Sequence, residues 1–146
     1  MECPVVRAQD LIVVVTSAGT EEQALDIAHA LIRSRQAACV NLLPNVHSIY
    51  RWKGRVCDDG EFLLLIKTQA KQFEAVRETI HKVNTYELPE VLAYRVDEAS
   101  PGFASWISKM TSPSKRKGVR GPRPVPARRR PAAASSRRGR GELQVS

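Results

Sequence analysis

The sequence predicts an α+β domain in which an antiparallel sheet carries two helices on one face. Three observations support this. Short β-branched and aliphatic runs alternate with segments whose apolar residues recur every three or four positions. The elements follow the order β-α-β-β-α-β, with one more helix at the end. The patterning stops near residue 112, where an Arg- and Pro-rich composition takes over.

The first strand is the run Leu-Ile-Val-Val-Val at residues 11–15. Ser17, Ala18 and Gly19 are expected to end it. Thr20 then opens a helix, with Gln23 at capping-box spacing. Glu21 and Glu22 occupy its first turn, where the helix dipole favours negative charge. Ala24, Ile27, Ala28 and Leu31 form its apolar stripe, and Arg33 and Arg35 close it. Residues 37–43 make a second strand, interrupted by Pro44 and Asn45 and resumed over residues 46–52. There Val46, Ser48 and Tyr50 share one side, and His47, Ile49 and Arg51 the other. A proline inside an extended run implies a kink or an edge strand. Lys53-Gly54 and Asp58-Asp59-Gly60 read as turns around an extra hairpin, and residues 62–66 as the third main strand.

Thr68 is expected to start the second helix, whose stripe is Phe73, Val76, Ile80 and Val83. Leu88 and Pro89 lead into a fourth strand at residues 90–96. Phe103, Trp106 and Ile107 mark a short amphipathic helix after Pro101 and Gly102. The sum is the split βαβ, ferredoxin-like arrangement. One sheet face and a long edge strand stay uncovered, so a homo-oligomer is expected.

The net charge of +8 is unevenly spread. Residues 1–112 hold 12 Lys/Arg against 14 Asp/Glu, a net of −2, whereas residues 113–146 hold 11 against one, a net of +10. Two units follow: a folded domain at 1–112 and a basic Arg/Pro-rich tail at 113–146. The tail lacks aromatic residues and cannot bury enough apolar surface to order itself, so disorder is expected. Its arginines suit nonspecific attraction to nucleic acid or another polyanion. No apolar run reaches the roughly 18 residues of a membrane span, and no secretory leader is expected. Cys3, Cys39 and Cys57 are odd in number, without zinc or disulfide spacing. The cytoplasm is the expected compartment. No nucleophile elbow or phosphate loop is present, so no catalytic residue is assigned and an enzyme is not expected.

Several motifs carry a family resemblance. Residues 37–44, AACVNLLP, resemble the AACVN-x-x-P strand of the CutA family of divalent-cation tolerance proteins. Residues 48–54, SIYRWKG, resemble its S-x-Y-x-W-x-G strand, and residues 64–68, LLIKT, its I-K-T strand end. Residues 86–90, YELPE, resemble the end of its H-P-Y-E-x-P-E motif, and Trp106 the tryptophan of its last helix. The resemblance runs from Leu11 to Ile107. It implies a trimer of ferredoxin-like subunits joined through edge strands. It also implies a part in divalent metal tolerance, with copper(II) or another divalent cation as the bound species. At the family's metal positions this chain holds Thr16, Val83 and Asn84, which offer neither the thiolate nor the imidazole that copper favours.

The candidate metal or ligand residues are Cys39, Tyr86, Glu87 and Glu90. Two carboxylates and a phenol in a loop entering a strand suit a metal or a small molecule. Alternatively, Glu87 and Glu90 pair with Lys67 or Arg51 of a neighbouring subunit. Tyr50, Trp52, Lys67 and Trp106 are expected at the subunit interface. Cys57, Asp58, Asp59 and Glu61 bring a thiol and three carboxylates to one hairpin, but read as turn chemistry. His29, His47 and His81 read as solvated or capping residues. Three functions follow: a trimeric divalent-cation (copper) tolerance protein that binds without catalysing, a trimeric small-ligand or signalling module without metal, and polyanion binding through the tail.

Overall fold

Four strands form one sheet: β1 (Leu11–Ala18), β2 (Cys39–Trp52), β3 (Arg55–Gln69) and β4 (Leu92–Arg95). Their order is β2-β3-β1-β4 and every pairing is antiparallel, as the ferredoxin-like reading requires. Among the described residues the α-helices are α1 (Glu21–Arg33), α2 (Phe73–Val83) and α3 (Pro101–Met110). The computed structural model describes residues 8–113. The tail assigned to 113–146 lies, Pro113 apart, outside the described residues. Among the described residues no helix is long and apolar enough to cross a membrane.

Alternation along the strands sends two sets of side chains to opposite faces. Ile12, Val14, Leu64 and Ile66 meet Ala24, Ile27 and Leu31 of α1 and Val76 and Ile80 of α2 in the main core. These are the stripe residues that helical spacing selects. Leu11 points the other way and packs with Ala104 and Ile107 of α3. So α3 covers only the Leu11 end of the second face. The far end, near Ser17, is left for other uses.

Helix ends follow local chemistry. Thr20 caps α1, its Oγ1 accepting from the Gln23 amide at 3.2 Å. Gln23 does not return the bond, since its Nε2 donates to Thr85 Oγ1 at 3.1 Å. Arg35 lies beyond the Ser34 cap of α1, at φ 59°, and serves α3 instead. Its guanidinium donates to the carbonyls of Lys109 and Ser112, both at 2.7 Å. The first is a last-turn carbonyl without a helical partner, and the second lies just past the Thr111 cap.

Strand ends depart from the sequence expectation, each for a pairing reason. β1 does not stop at Ser17, because Ser17 and Ala18 still pair with Leu63 and Phe62. Thr68 does not start α2: it pairs with Ile12, and its hydroxyl donates to the Gln36 carbonyl at 2.6 Å. A short 3-10 turn, Ala70–Gln72, then precedes α2. β4 is shorter than expected and pairs only with Ile12–Val15.

The largest correction concerns Asp58, Asp59 and Gly60, which are strand rather than turn. They pair with Ile49, Ser48 and His47. The extra hairpin is therefore a continuation of β2 and β3 into a two-stranded arm. Polar residues suit it because both faces of the arm meet water. The turn at its tip is Lys53-Gly54, with φ of 48° and 77°, the pattern of a two-residue type I′ hairpin. Pro44 marks both expected features: β2 is an edge strand, and its register shifts between Leu43 and Val46, with Asn45 at φ 58°.

Candidate functional site

At the Ser17 end of the second face lies a cleft of about 430 Å3. Its floor and one wall come from the sheet. Ser48, Tyr50 and Trp52 of β2 alternate onto the same face, and Glu61 of β3 sits opposite Val46. The loop between α2 and β4 supplies the other wall, including Tyr86, Glu87, Leu88 and Glu90.

That loop is held by Asn84, which ends α2 and is buried. Its Nδ2 donates to the Ser17 carbonyl at 2.9 Å, and its Oδ1 accepts from the Tyr86 amide at 2.8 Å. Both ends of the amide are used to fix the loop on β1. The Tyr86 ring is thereby laid beside Gly19. A Cβ at Gly19 would stand 3.0 Å from the Tyr86 hydroxyl, so a larger residue there would push the phenol aside by a few tenths of an ångström.

The central contact is between Tyr86 and Glu61. The phenol donates to Glu61 Oε2 at 2.8 Å. Glu61 is 8% exposed, yet among the described residues it has no ion-pair partner. Burial, then the hydrogen bond to Glu61, pushes the Tyr86 phenol well above the ordinary tyrosine range. It therefore stays a protonated donor at neutral pH. Tyr50 makes a similar pair with Asp59 and is pushed up to about 12, chiefly by that hydrogen bond.

At the rim, the Lys53 ammonium lies 3.1 Å from Glu87 Oε2 and 5.7 Å from the centre of the Trp52 ring. Glu87 thus has a partner, Lys53, within its own chain. Lys67 lies over the Phe103 ring at 5.8 Å, and Phe103 stacks on Trp106 at 5.5 Å, both at the α3 end of the face.

The structure brings together Tyr86, Glu87 and Glu90, with Tyr50 and Trp52 facing them. It does not bring Cys39 to them. Cys39 pairs with Lys67, six residues along β3 from Glu61, or about 20 Å at strand rise. Glu61 is the functional residue that the sequence hides, because it follows Asp58-Asp59-Gly60, which reads as a turn. Its signal was the alternation Glu61, Leu63, Leu65, which places it on one face of a strand.

A divalent metal at the family positions finds no donor set here. Asn84 has both ends engaged in holding the loop. Val83 packs against the main core, and Thr16 lies on the helix side of β1, fully buried, with no hydrogen-bond partner among the described residues. No group of three His, Cys, Asp or Glu side chains gathers to hold a metal ion among the described residues.

Comparison with known proteins agrees with the fold. Residues 12–110 match the CutA1 divalent ion tolerance protein family. The chain is 39% identical over 99 residues to the divalent-cation tolerance protein CutA of Thermus thermophilus, covering 68% of this chain and 96% of that protein. It is 42% identical over 91 residues to protein CutA of Mus musculus, covering 62% of this chain and 51% of that protein. The chain thus spans about half the length of the mouse relative. The crystal structure of CutA1 from Oryza sativa superposes with a TM-score of 0.69 at 33% identity, over 71% of this chain and 95% of that one.

Proposed function

The chain belongs to the CutA1 divalent ion tolerance family, and from that premise we propose a homotrimeric, non-enzymatic binding protein whose ligand site is the cleft around Glu61 and Tyr86. The single observation that carries this is the buried Glu61 carboxylate, which accepts a hydrogen bond from the partly exposed Tyr86 phenol in a cleft of about 430 Å3. A preformed concave site with few, fixed polar groups is what small-ligand binding needs. Nothing in the cleft is arranged as a nucleophile with a base, so binding rather than catalysis is the reading.

Copper at Thr16, Val83 and Asn84 is the poorer reading, because Asn84 is engaged in holding the loop, Val83 has no donor atom and Thr16 is fully buried on the helix side of β1. In this proposal the part played in divalent-cation tolerance runs through what the cleft binds, in the cytoplasm.

Trimer formation is supported by the two sheet edges, β2 and β4, unpaired among the described residues, and by exposed apolar side chains on them and on the outer half of β3. Ile49 is 70% exposed, Val56 beside it 65% and Tyr94 of β4 59%. Light scattering on the full chain should give three times its 16.2 kDa mass, and a clean monomer would contradict this.

The cleft is tested by thermal shift of the full chain against small molecules of varied charge and against copper(II). At least one organic compound should raise the melting temperature, and Glu90→Ala should reduce the shift. Shifts only with copper, or shifts indifferent to Glu90, would overturn the assignment.

A further inference from the structure

Resting on the reading of the cleft as a ligand site, we propose that its ligand is a small organic cation, an alkylammonium seated between Glu61 and the rings of Tyr50, Trp52 and Tyr86. Glu61 carries the argument. A carboxylate this deeply buried is ordinarily paired with a cation or a metal, because an unpaired charge away from water is costly. Here its side-chain partner among the described residues is one neutral phenol. The partner that burial calls for is a positive group entering from the cleft.

The lining points the same way. Glu87 and Glu90 add two more carboxylates, and none of the described residues lining the cleft is basic. Glu87 is offset by Lys53 at the rim, but an anion would still meet the carboxylates of Glu61 and Glu90. A bare metal ion would need a close group of three donors, which the described residues do not supply. Aromatic walls favour an organic ammonium, whose charge is drawn to ring faces while its alkyl part is buried against them. The protein performs a small version of this itself, since the Lys53 ammonium rests over Trp52 and against Glu87. A volume of about 430 Å3 admits an amine several carbons long rather than an ammonium ion alone.

The test is a calorimetric titration of the full chain with 1,4-diaminobutane, with uncharged 1,4-butanediol and with copper(II) alone. The diamine should bind saturably and quench Trp52 fluorescence, and the diol should not. Glu61→Gln keeps an acceptor for Tyr86, so the protein should stay folded while diamine affinity falls roughly tenfold or more. Should that variant unfold, Glu90→Gln at the exposed rim supplies a second, smaller loss of affinity. Equal binding of diol and diamine, no diamine binding, or glutamine variants that bind like the parent would overturn the proposal. A neutral or anionic compound that fills the cleft and whose binding is weakened by Glu90→Ala would overturn the cation alone and leave the cleft as a ligand site. Failure of every compound would overturn both.

Discussion

Along residues 62–69, β3 is a core strand, with Leu64 and Ile66 fully buried beneath α1 and α2. Along residues 55–60 the same strand stands in water beside one neighbour, and Val56 is 65% exposed. Pairing with β2 resumes beyond the register shift between Leu43 and Val46, whereas pairing with β1 ends at Phe62, so what differs is the second neighbour and what lies on the faces. The inner half is specified by apolar burial and serves stability. The outer half is specified by register and by cross-strand pairs such as Tyr50–Asp59, and it is the half to which the proposed function assigns binding and assembly. Glu61 sits where the two regimes meet, buried like the first and polar like the second.

The sharpest way to break this comparison is to truncate each half. Leu64→Ala should cost about 2–5 kcal/mol, read from urea unfolding at fixed protein concentration. Val56→Ala on the arm should change subunit stability by no more than about 0.5 kcal/mol and act, if anywhere, on trimer dissociation. Equal losses would mean that the arm is part of the core.

The junction should respond next. Asn84→Ala leaves the Ser17 carbonyl without its donor and frees the Tyr86 loop, so a loss of about 1–3 kcal/mol is expected in the same assay. It should also weaken ligand binding in the cleft without touching any lining side chain.

Alkaline pH sharpens the comparison at the same place. The folded-state value of Tyr86 lies above its unfolded value, raised first by burial and then by Glu61. Its contribution is therefore complete below pH 10 and is lost as pH rises above that, where only the unfolded chain ionises its phenol. Unfolding midpoints at pH 8, 10 and 11 should fall in that order. Glu61→Gln should shrink the fall without abolishing it, because burial remains the larger cause. A fall unchanged by Glu61→Gln would place the effect elsewhere.

The smallest expected effect has the opposite sign. Thr16→Val replaces a buried hydroxyl that has no partner among the described residues by a methyl of similar shape. Stability should hold or rise by up to about 1 kcal/mol. A clear loss would reveal that the hydroxyl has a structural or ligand role after all.

These contrasts explain what could be read from the sequence. Both helices were legible because burial on one face imprints a 3–4 residue period, and Ile27, Leu31, Val76 and Ile80 obey it. Pro44 announced the edge and the kink because proline cannot donate to a ladder. Strand ends were not legible, because partners set them: Thr68 stays extended for Ile12, and Asp58 for Ile49. Tyr86, Glu87 and Glu90 could be suspected from their spacing. Their link to Glu61 could not, since it joins positions 25 residues apart and depends on how Asn84 docks the loop on β1. Cys39 was drawn into the candidate set by residue type, and register places it elsewhere on the sheet.

The account turns on Glu61 as the receiving group of a ligand cleft. The most direct test is a crystal structure of the full chain grown with 1,4-diaminobutane. The account predicts an ammonium within hydrogen-bond reach of the Glu61 carboxylate, with its carbon chain against Trp52. A cleft filled instead by a basic side chain of a neighbouring copy, or a diamine bound elsewhere, would contradict it.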